Sequence, residues 1–348
     1  MKKVFPAFLS CQGTRLSDDE KRLFERYNPL GVCLFSKFCA NIESREQVQH
    51  LVQDIKEAVG RDNVLIAVDQ EGGRVRRLVE PECMSVASQQ SLTTEELAKQ
   101  HAYLISKDLH DCGINVNFAP VLDKMTPQTS VVLQGRCFEG DIAKLGRAMV
   151  DEYIKQGICP CVKHMPGHGR AAVDPHLELP VIHEDLTVLQ EDFAPFQALN
   201  DAPMGMAAHI VLPAVDAQNA ATLSAKVIHD IIRKQIGFDG VLVSDAIMMR
   251  ALSGTLAERA ERAVAAGCDV ICLGNADFEA NKALCESKTE MTDIAWERLK
   301  KVFQVIENKP DFSNYEYVKN KYCATLKSVV SYNYNYDATE VLNRLRQA

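Results

Sequence analysis

The chain has 348 residues, 47% of them hydrophobic, enough to bury a large core in one α/β domain or two smaller ones. Its formal net charge of −8 argues against nucleic acid as a partner, which would favour a basic surface. No apolar run is long enough to span a bilayer, so no membrane association is expected. Twelve cysteines do not make a disulfide scaffold in a chain of this length. Several lie inside apolar runs (Cys33, Cys159, Cys161, Cys272), and the expectation is buried, reduced thiols in a cytoplasmic protein.

The first apolar run, Val4 to Leu9, is interrupted by Pro6 and falls short of the ~7–15 residues of a signal peptide. It continues into a plausible strand and is read as structure. Short β-rich runs then recur, predicting strands at Ala7–Ser10, Gly31–Phe35, Val64–Val68, Ile114–Phe118, Ile158–Val162, Met204–Ala208, Val241–Ser244 and Val270–Leu273. Amphipathic stretches between them, such as Ser44–Val59, Thr94–Cys112, Ala143–Gln156 and Ala257–Ala266, predict helices. Strands alternating with helices pair in parallel, because a parallel connection needs a long crossover. Eight such units predict a single α/β domain, a (β/α)8 TIM-type barrel with long catalytic loops, over residues 1–310; a doubly wound open sheet is the alternative. Residues 311–348, rich in Tyr and Asn at 332–336 and ending in a helical pattern at Ala338–Arg346, are expected to be a short C-terminal extension packed on the barrel.

The ends of the strands carry the chemistry. The third is followed by Asp69-Gln70-Glu71-Gly72-Gly73-Arg74 and the fourth by Ala119-Pro120-Val121-Leu122-Asp123. The fifth meets Lys163-His164, the sixth His209, the seventh Asp245, and the eighth Gly274-Asn275. Polar groups after six different strands converge on one mouth of a barrel, where such folds place their active sites. The densest stretch is KHMPGHGRAAVDPHLELP, residues 163–180, where Pro166, Gly167 and Gly169 dictate a built loop.

Asp245 ends a run composed like a buried strand, where a lone carboxylate is costly unless paired or used. Its natural role is nucleophile or electrostatic stabiliser of a developing cation. Asp174 and His176 flank Pro175, which favours an extended Asp174 and limits the loop shapes. In such a dyad Asp174 would orient an imidazole that gives a proton and takes one back. A pair of loop residues satisfying backbone groups is the plainer reading of the same two side chains. His164, His168, His176 and Asp174 also permit a metal site, although the Pro and Gly residues exclude the helix that regular zinc spacings use. Gly72-Gly73 could begin a phosphate cradle, but no complete nucleotide-binding motif follows. Arg74, Arg76 and Arg77 could hold an oxygen-rich ligand, with one or two of them on a solvated helix face.

Three segments, Asp69–Val75 (DQEGGRV), Lys163–Gly169 with Asp174 and His176, and Gly237–Asp245 (GFDGVLVSD), resemble those of the bacterial β-N-acetylhexosaminidases of glycoside hydrolase family 3. The resemblance runs from about Phe8 to Asn275 and includes GVCLF at 31–35 and NFAPVLD at 117–123. It implies a retaining, two-step hydrolysis on a single barrel, with no cofactor and no metal. Asp245 would match the nucleophile, and His176, assisted by Asp174, the acid/base. This departs from the usual pair of carboxyl groups ~5–5.5 Å apart. Asp69, Arg77, Arg136, Lys163 and His164 would match sugar-binding positions. The sequence departs from the family pattern at Cys137, Met165, Pro175 and Ala246; Pro175 and Arg170 bear on the mobility of the catalytic loop and so on turnover. The resemblance further implies an amino-sugar substrate, a GlcNAc–anhydromuramyl-peptide of peptidoglycan recycling, and a monomer is expected. The rivals are a β-glucosidase or a glycoside phosphorylase of the same family, a metal-dependent barrel hydrolase, and a catalytically silent sugar-binding barrel.

Overall fold

The computed structural model describes residues 3–36, 38–79, 81, 83–175 and 177–327. Eight strands all run parallel: β1 (Phe5–Leu9), β2 (Pro29–Cys33), β3 (Leu65–Val68), β4 (Val116–Asn117), β5 (Cys159–Met165), β6 (Met204–Ala207), β7 (Val241–Ser244) and β8 (Ile271–Cys272). Each pairs with its neighbours in sequence, and β8 returns to pair with β1. A parallel bridge between Val243 and Val270 brings β7 against β8. The result is the predicted (β/α)8 barrel.

Among the described residues the helices are α1 (Asp18–Tyr27), α2 (Arg45–Val59), α3 (Glu95–Asp111), α4 (Ile142–Lys155), α5 (Leu186–Ala198), α6 (Leu256–Ala266), α7 (Phe278–Cys285), α8 (Asp293–Ile306) and α9 (Tyr315–Leu326). A π-helical segment, Val227–Gln235, takes the place of a regular helix between β6 and β7. Several helices start on the residues the sequence offers: Ser17 and Thr255 form capping boxes with Glu20 and Glu258, and Thr94 caps α3. No described helix is long and apolar enough to cross a membrane.

Side chains alternate along each strand, as a pleat requires. Phe8, Leu65, Ala67, Cys161, Met204, Val241 and Val243 pack inside the barrel, and Ala7, Leu9, Ile66, Val162 and Leu242 face the helices. Phe8 and Phe118 meet edge to face at 5.5 Å in the interior. Cys33, Cys159, Cys161 and Cys272 belong to the same inner cluster, so the thiols fill the barrel as small apolar groups. They are free, as are all the other described cysteines, and Cys323 is the exposed one.

Strands β4 and β8 are shorter than their apolar runs. At β4 the side chains of Asn115 and Asn117 replace part of the ladder: Ile66 N–H donates to Asn115 Oδ1 at 2.7 Å and Gln70 N–H to Asn117 Oδ1 at 3.0 Å. Helix α8 covers the amino-terminal end of the barrel. It lays Leu299, Val302 and Val305 on the inner cluster, and Arg298 reaches Asp269 and Asp239, which precede β8 and β7. The long connections are thereby left to the other end, after β3, β4, β5 and β6.

Asp269 adds side-chain bonds to the backbone pairing that closes the barrel. Its carboxylate accepts the Leu242 N–H at 2.8 Å, Arg233 Nη2 at 2.8 Å and Arg298 Nη1 at 2.9 Å. Removing it takes the counter-charge from the largely buried Arg233 guanidinium and the acceptor from the buried Leu242 N–H, a loss of about 3–5 kcal/mol. Asp269→Ala is expected to lower the melting temperature by roughly 4–7 °C. An unchanged melting temperature in a calorimetric scan would mean that backbone pairing alone holds β7 to β8.

Candidate active site

The carboxyl ends of the strands surround one cleft of about 1150 Å³, counting its open mouth. Asp69, Arg77, Arg136, Lys163, His164 and Asp245 all line it, which brings together residues from four parts of the sequence. Its apolar wall includes Phe35, Phe118, Met206 and the thiols of Cys33 and Cys272.

Asp69 leaves β3 into a folded-back loop. Gln70 shapes it: Oε1 accepts the N–H groups of Arg77 and Leu78 at 2.8 and 3.0 Å, which returns Arg77 to the side of Asp69. Glu71 N–H and Gly72 N–H both donate to the Val75 carbonyl, at 2.9 and 3.1 Å, closing the turn between them. Gly72 has a φ of +99°, and a Cβ there would lie 2.3 Å from the Ala87 carbonyl oxygen and 2.7 Å from the His101 ring. Glycine is the residue that fits.

The turn places Glu71 beneath the cleft, almost wholly buried, inside a charged cluster. Lys163 Nζ, also buried, stands 2.6 Å from Glu71 Oε1 and 2.8 Å from Asp69 Oδ1. Arg136 grips Glu71 with both arms, Nε to Oε2 and Nη2 to Oε1, each at 2.8 Å. Arg77 Nη2 reaches Asp69 Oδ2 at 3.3 Å. Burial alone would raise the Glu71 carboxyl, but Arg136 and Lys163 hold it well below its ordinary value. Burial works against the Lys163 ammonium too, and Asp69 and Glu71 overcome it, so its pKa is raised. The cluster therefore stays fully ionised, three cations against two carboxylates, beside a cleft that it can serve with charge-assisted hydrogen bonds.

The loop after β5 is seated on Asp123, which is fully buried. The Asp123 carboxylate pairs with His164 Nδ1 at 2.7 Å and accepts the His168 N–H at 2.7 Å. Burial would raise this carboxyl, and His164 more than offsets it. Gly169 passes so close to the Lys124 carbonyl that a Cβ would sit 1.8 Å from the oxygen. His168 lines the cleft with both ring nitrogens unpartnered among the described residues, and burial pushes its pKa down to about 4, which keeps the ring neutral. Arg170 ties the loop to α5 through Asp192 at 2.6 Å. Asp174 is buried further on, its backbone carbonyl accepting Leu177 N–H at 2.9 Å, and Pro175 reaches the cleft wall. His176 lies outside the described residues.

Asp245 follows β7 directly. Its Oδ1 accepts the Ala246 N–H at 2.7 Å, and its own N–H donates to the Ala207 carbonyl at 3.0 Å, which fixes both backbone and side chain. Its side chain is buried against the cleft floor.

Two expectations need correction. His209 follows β6 as predicted, but its ring turns away, with Nδ1 bonded to Thr222 Oγ1 at 2.9 Å and Nε2 to the Ala246 carbonyl at 3.1 Å. It buttresses the segment after Asp245. Arg74 and Arg76 do not sit on a helix face: the folded-back loop carries them, Arg74 donating to the Val131, Val132 and Gln134 carbonyls and Arg76 to Ser85. The sequence places Glu71 and Asp123 at the barrel mouth without giving either a role of its own, and gives His168 one only in the metal alternative. A carboxylate directly after a buried strand signals a hidden cation or donor, but nothing in the sequence says which one it meets.

A model of the N-terminal domain of glycosyl hydrolase family 3 matches residues 6–306. The β-hexosaminidase of Bordetella avium is 35% identical over 314 residues, 85% of this chain and 87% of the relative. That of Chromobacterium violaceum is 35% identical over 298 residues, covering 80% and 81%. Among solved structures, NagZ from Neisseria gonorrhoeae in complex with N-trifluoroacetyl-D-glucosamine superposes with a TM-score of 0.78 at 28% identity, covering 93% of this chain and 97% of that one. A family 3 β-N-acetylglucosaminidase from a Paenibacillus strain superposes at 0.75 with 27% identity, over 98% of this chain and 66% of that longer one. A barrel whose strand ends converge on one cleft and whose sequence matches over this length has one placement: the chain belongs to glycoside hydrolase family 3, among its β-hexosaminidases, and is a glycoside hydrolase.

Proposed function

We propose that the enzyme releases terminal β-linked N-acetylglucosamine by a two-step, retaining hydrolysis. The observation that carries this reading is the shared cleft. A buried carboxylate fixed at the end of β7, Asp245, opens onto the same space as the ionised Asp69–Lys163–Arg136 cluster. One end of that arrangement holds hydroxyls, and the other offers a nucleophile. The names of the relatives, β-hexosaminidase and β-N-acetylglucosaminidase, support an amino sugar as the ring that is held.

In the first step Asp245 attacks the anomeric carbon, and the glycosidic C–O bond breaks as His176 gives its proton to the leaving oxygen. In the second, water attacks the same carbon, loses a proton to His176 and frees Asp245. Asp174 holds the imidazole in the tautomer that this exchange needs. The imidazole is cationic before it gives its proton and neutral after, so it never adds a second negative charge beside the anionic nucleophile, which is the physical merit of replacing the usual second carboxyl. Asp69, Arg77, Arg136, Lys163 and His164 bind the ring through its hydroxyls. The natural substrate in this reading is a GlcNAc–anhydromuramyl-peptide released in peptidoglycan recycling. The enzyme acts as a cytoplasmic monomer, with residues 1–310 as the catalytic barrel and 311–348 as its extension.

Purified protein is expected to cleave 4-nitrophenyl β-N-acetylglucosaminide in preference to the β-glucoside, with turnover indifferent to chelator and to added phosphate. Cleavage of the glucoside alone would move the substrate, and phosphate dependence would make the enzyme a phosphorylase. Asp245→Asn should lower kcat by at least about 10³-fold with the melting temperature nearly unchanged, and a preserved rate would remove Asp245 from the role of nucleophile. His176→Ala should slow an alkyl or sugar leaving group at least about tenfold more than 4-nitrophenolate, which departs without protonation. Equal losses on the two substrates would count against a proton donor at that position.

A further inference from the structure

Helix α9, the last among the described residues, reaches the charged cluster of the cleft through one hydroxyl. Tyr322 is fully buried between α9 and α3, and its Oη lies 2.8 Å from His101 Nδ1 and 3.1 Å from the Ala87 backbone nitrogen. On the other side of the ring, His101 Nε2 lies 2.9 Å from the backbone carbonyl of Glu71. A carbonyl only accepts, so Nε2 carries the proton. The ring is fully buried, which lowers its pKa to about 4 and keeps it neutral, so Nδ1 must accept, and it does so from the Tyr322 hydroxyl. That leaves the Tyr322 oxygen free to accept the Ala87 N–H. One proton arrangement satisfies every group in the chain.

The two branches from Tyr322 end on the two partners of a single ion pair. Through His101 the hydroxyl holds the backbone of Glu71, whose carboxylate grips Arg136 and Lys163. Through Ala87 it holds the strap at 86–91. There the Val86 carbonyl accepts Gly73 N–H at 3.1 Å, and Gln90 Oε1 accepts the N–H of Gly135, next to Arg136, at 2.9 Å. Gly72 lies against both branches, the Ala87 carbonyl and the His101 ring. A movement of the tyrosine hydroxyl is therefore passed to the carboxylate and to the guanidinium that pairs with it.

We propose that Tyr322 is a positioning residue for the sugar-binding cluster, so that the docked α9 sets the spacing of Glu71, Lys163 and Arg136 against a bound ring. This rests on the sugar-binding role given to that cluster above. It assigns α9 a part in substrate affinity that packing alone would not give it.

The test compares the full-length wild type with Tyr322→Phe, Val318→Ala and Glu71→Gln. Melting temperature and the KM and kcat for 4-nitrophenyl β-N-acetylglucosaminide are measured for each. Tyr322→Phe keeps the ring and removes the hydroxyl, and should raise KM by about five- to tenfold with kcat within about twofold. Val318→Ala loosens the packing of α9 without touching the relay, and should lower the melting temperature with KM unchanged. Should Tyr322→Phe fail to fold, His101→Leu cuts the relay at its next link and is expected to raise KM in the same way. A KM for Tyr322→Phe within twofold of wild type, or one that rises equally in Val318→Ala, would overturn the proposal and leave α9 a packing element. Glu71→Gln separates the two levels of the argument: an unchanged KM there would overturn the sugar-binding role of the cluster, and the proposal with it.

Discussion

The Lys163 ammonium at the end of β5 is buried almost completely, and the site is organised around that burial. An unpaired charge in such a place costs several kcal/mol, so the fold must deliver counter-charges from elsewhere in the chain. It brings Asp69 and Glu71 from the loop after β3, and Glu71 brings Arg136 from the loop after β4. Each pairing is possible only with the strands in register and the loops folded back over the barrel mouth. The site and the barrel are thus parts of one electrostatic solution: the charges that would serve a sugar ring also lock two loops to β5.

That interdependence sets how much of the site is legible in the sequence. The eight strands were legible because a parallel barrel leaves continuous apolar runs, and their polar ends were legible because charge is rarely tolerated there without a use. Asp69, Lys163, His164 and Asp245 follow from that logic and share the cleft. The short β4 did not follow from it, because Asn115 and Asn117 use side chains to do what a ladder would do. Nor did the turn of His209 away from the cleft toward Thr222, since a residue's place after a strand does not fix its rotamer. Glu71 and Asp123 stand in segments whose importance was plain, but their partners lie 92 and 41 positions away in sequence, at Lys163 and His164. Such pairings belong to the tertiary structure and leave no local signature.

The loop after β5 shows the same principle with backbone in place of charge. It is held by the Asp123 carboxylate at His168 N–H, by Arg170 on Asp192, and by the steric fit of Gly169 against Lys124. These anchors precede Asp174, so a loop that carries proposed catalytic groups begins from a fixed frame. Arg170 and Pro175 fall within or beside that frame, Arg170 on Asp192 and Pro175 at the cleft wall.

The thiols in the barrel bear on how the cleft would meet a reactive ligand. Burial pushes Cys33, Cys161 and Cys272 up from the ordinary thiol range, so they remain protonated at neutral pH. A protonated thiol is a poor nucleophile. Toward a sugar ring, Cys33 and Cys272 are polarisable apolar surface and nothing more. An electrophilic sugar analogue placed in this cleft would find no thiolate to capture. The anions open to it are the carboxylates of Asp69 and Asp245, and a covalent adduct formed there would be an ester, open to hydrolysis, and not a stable thioether.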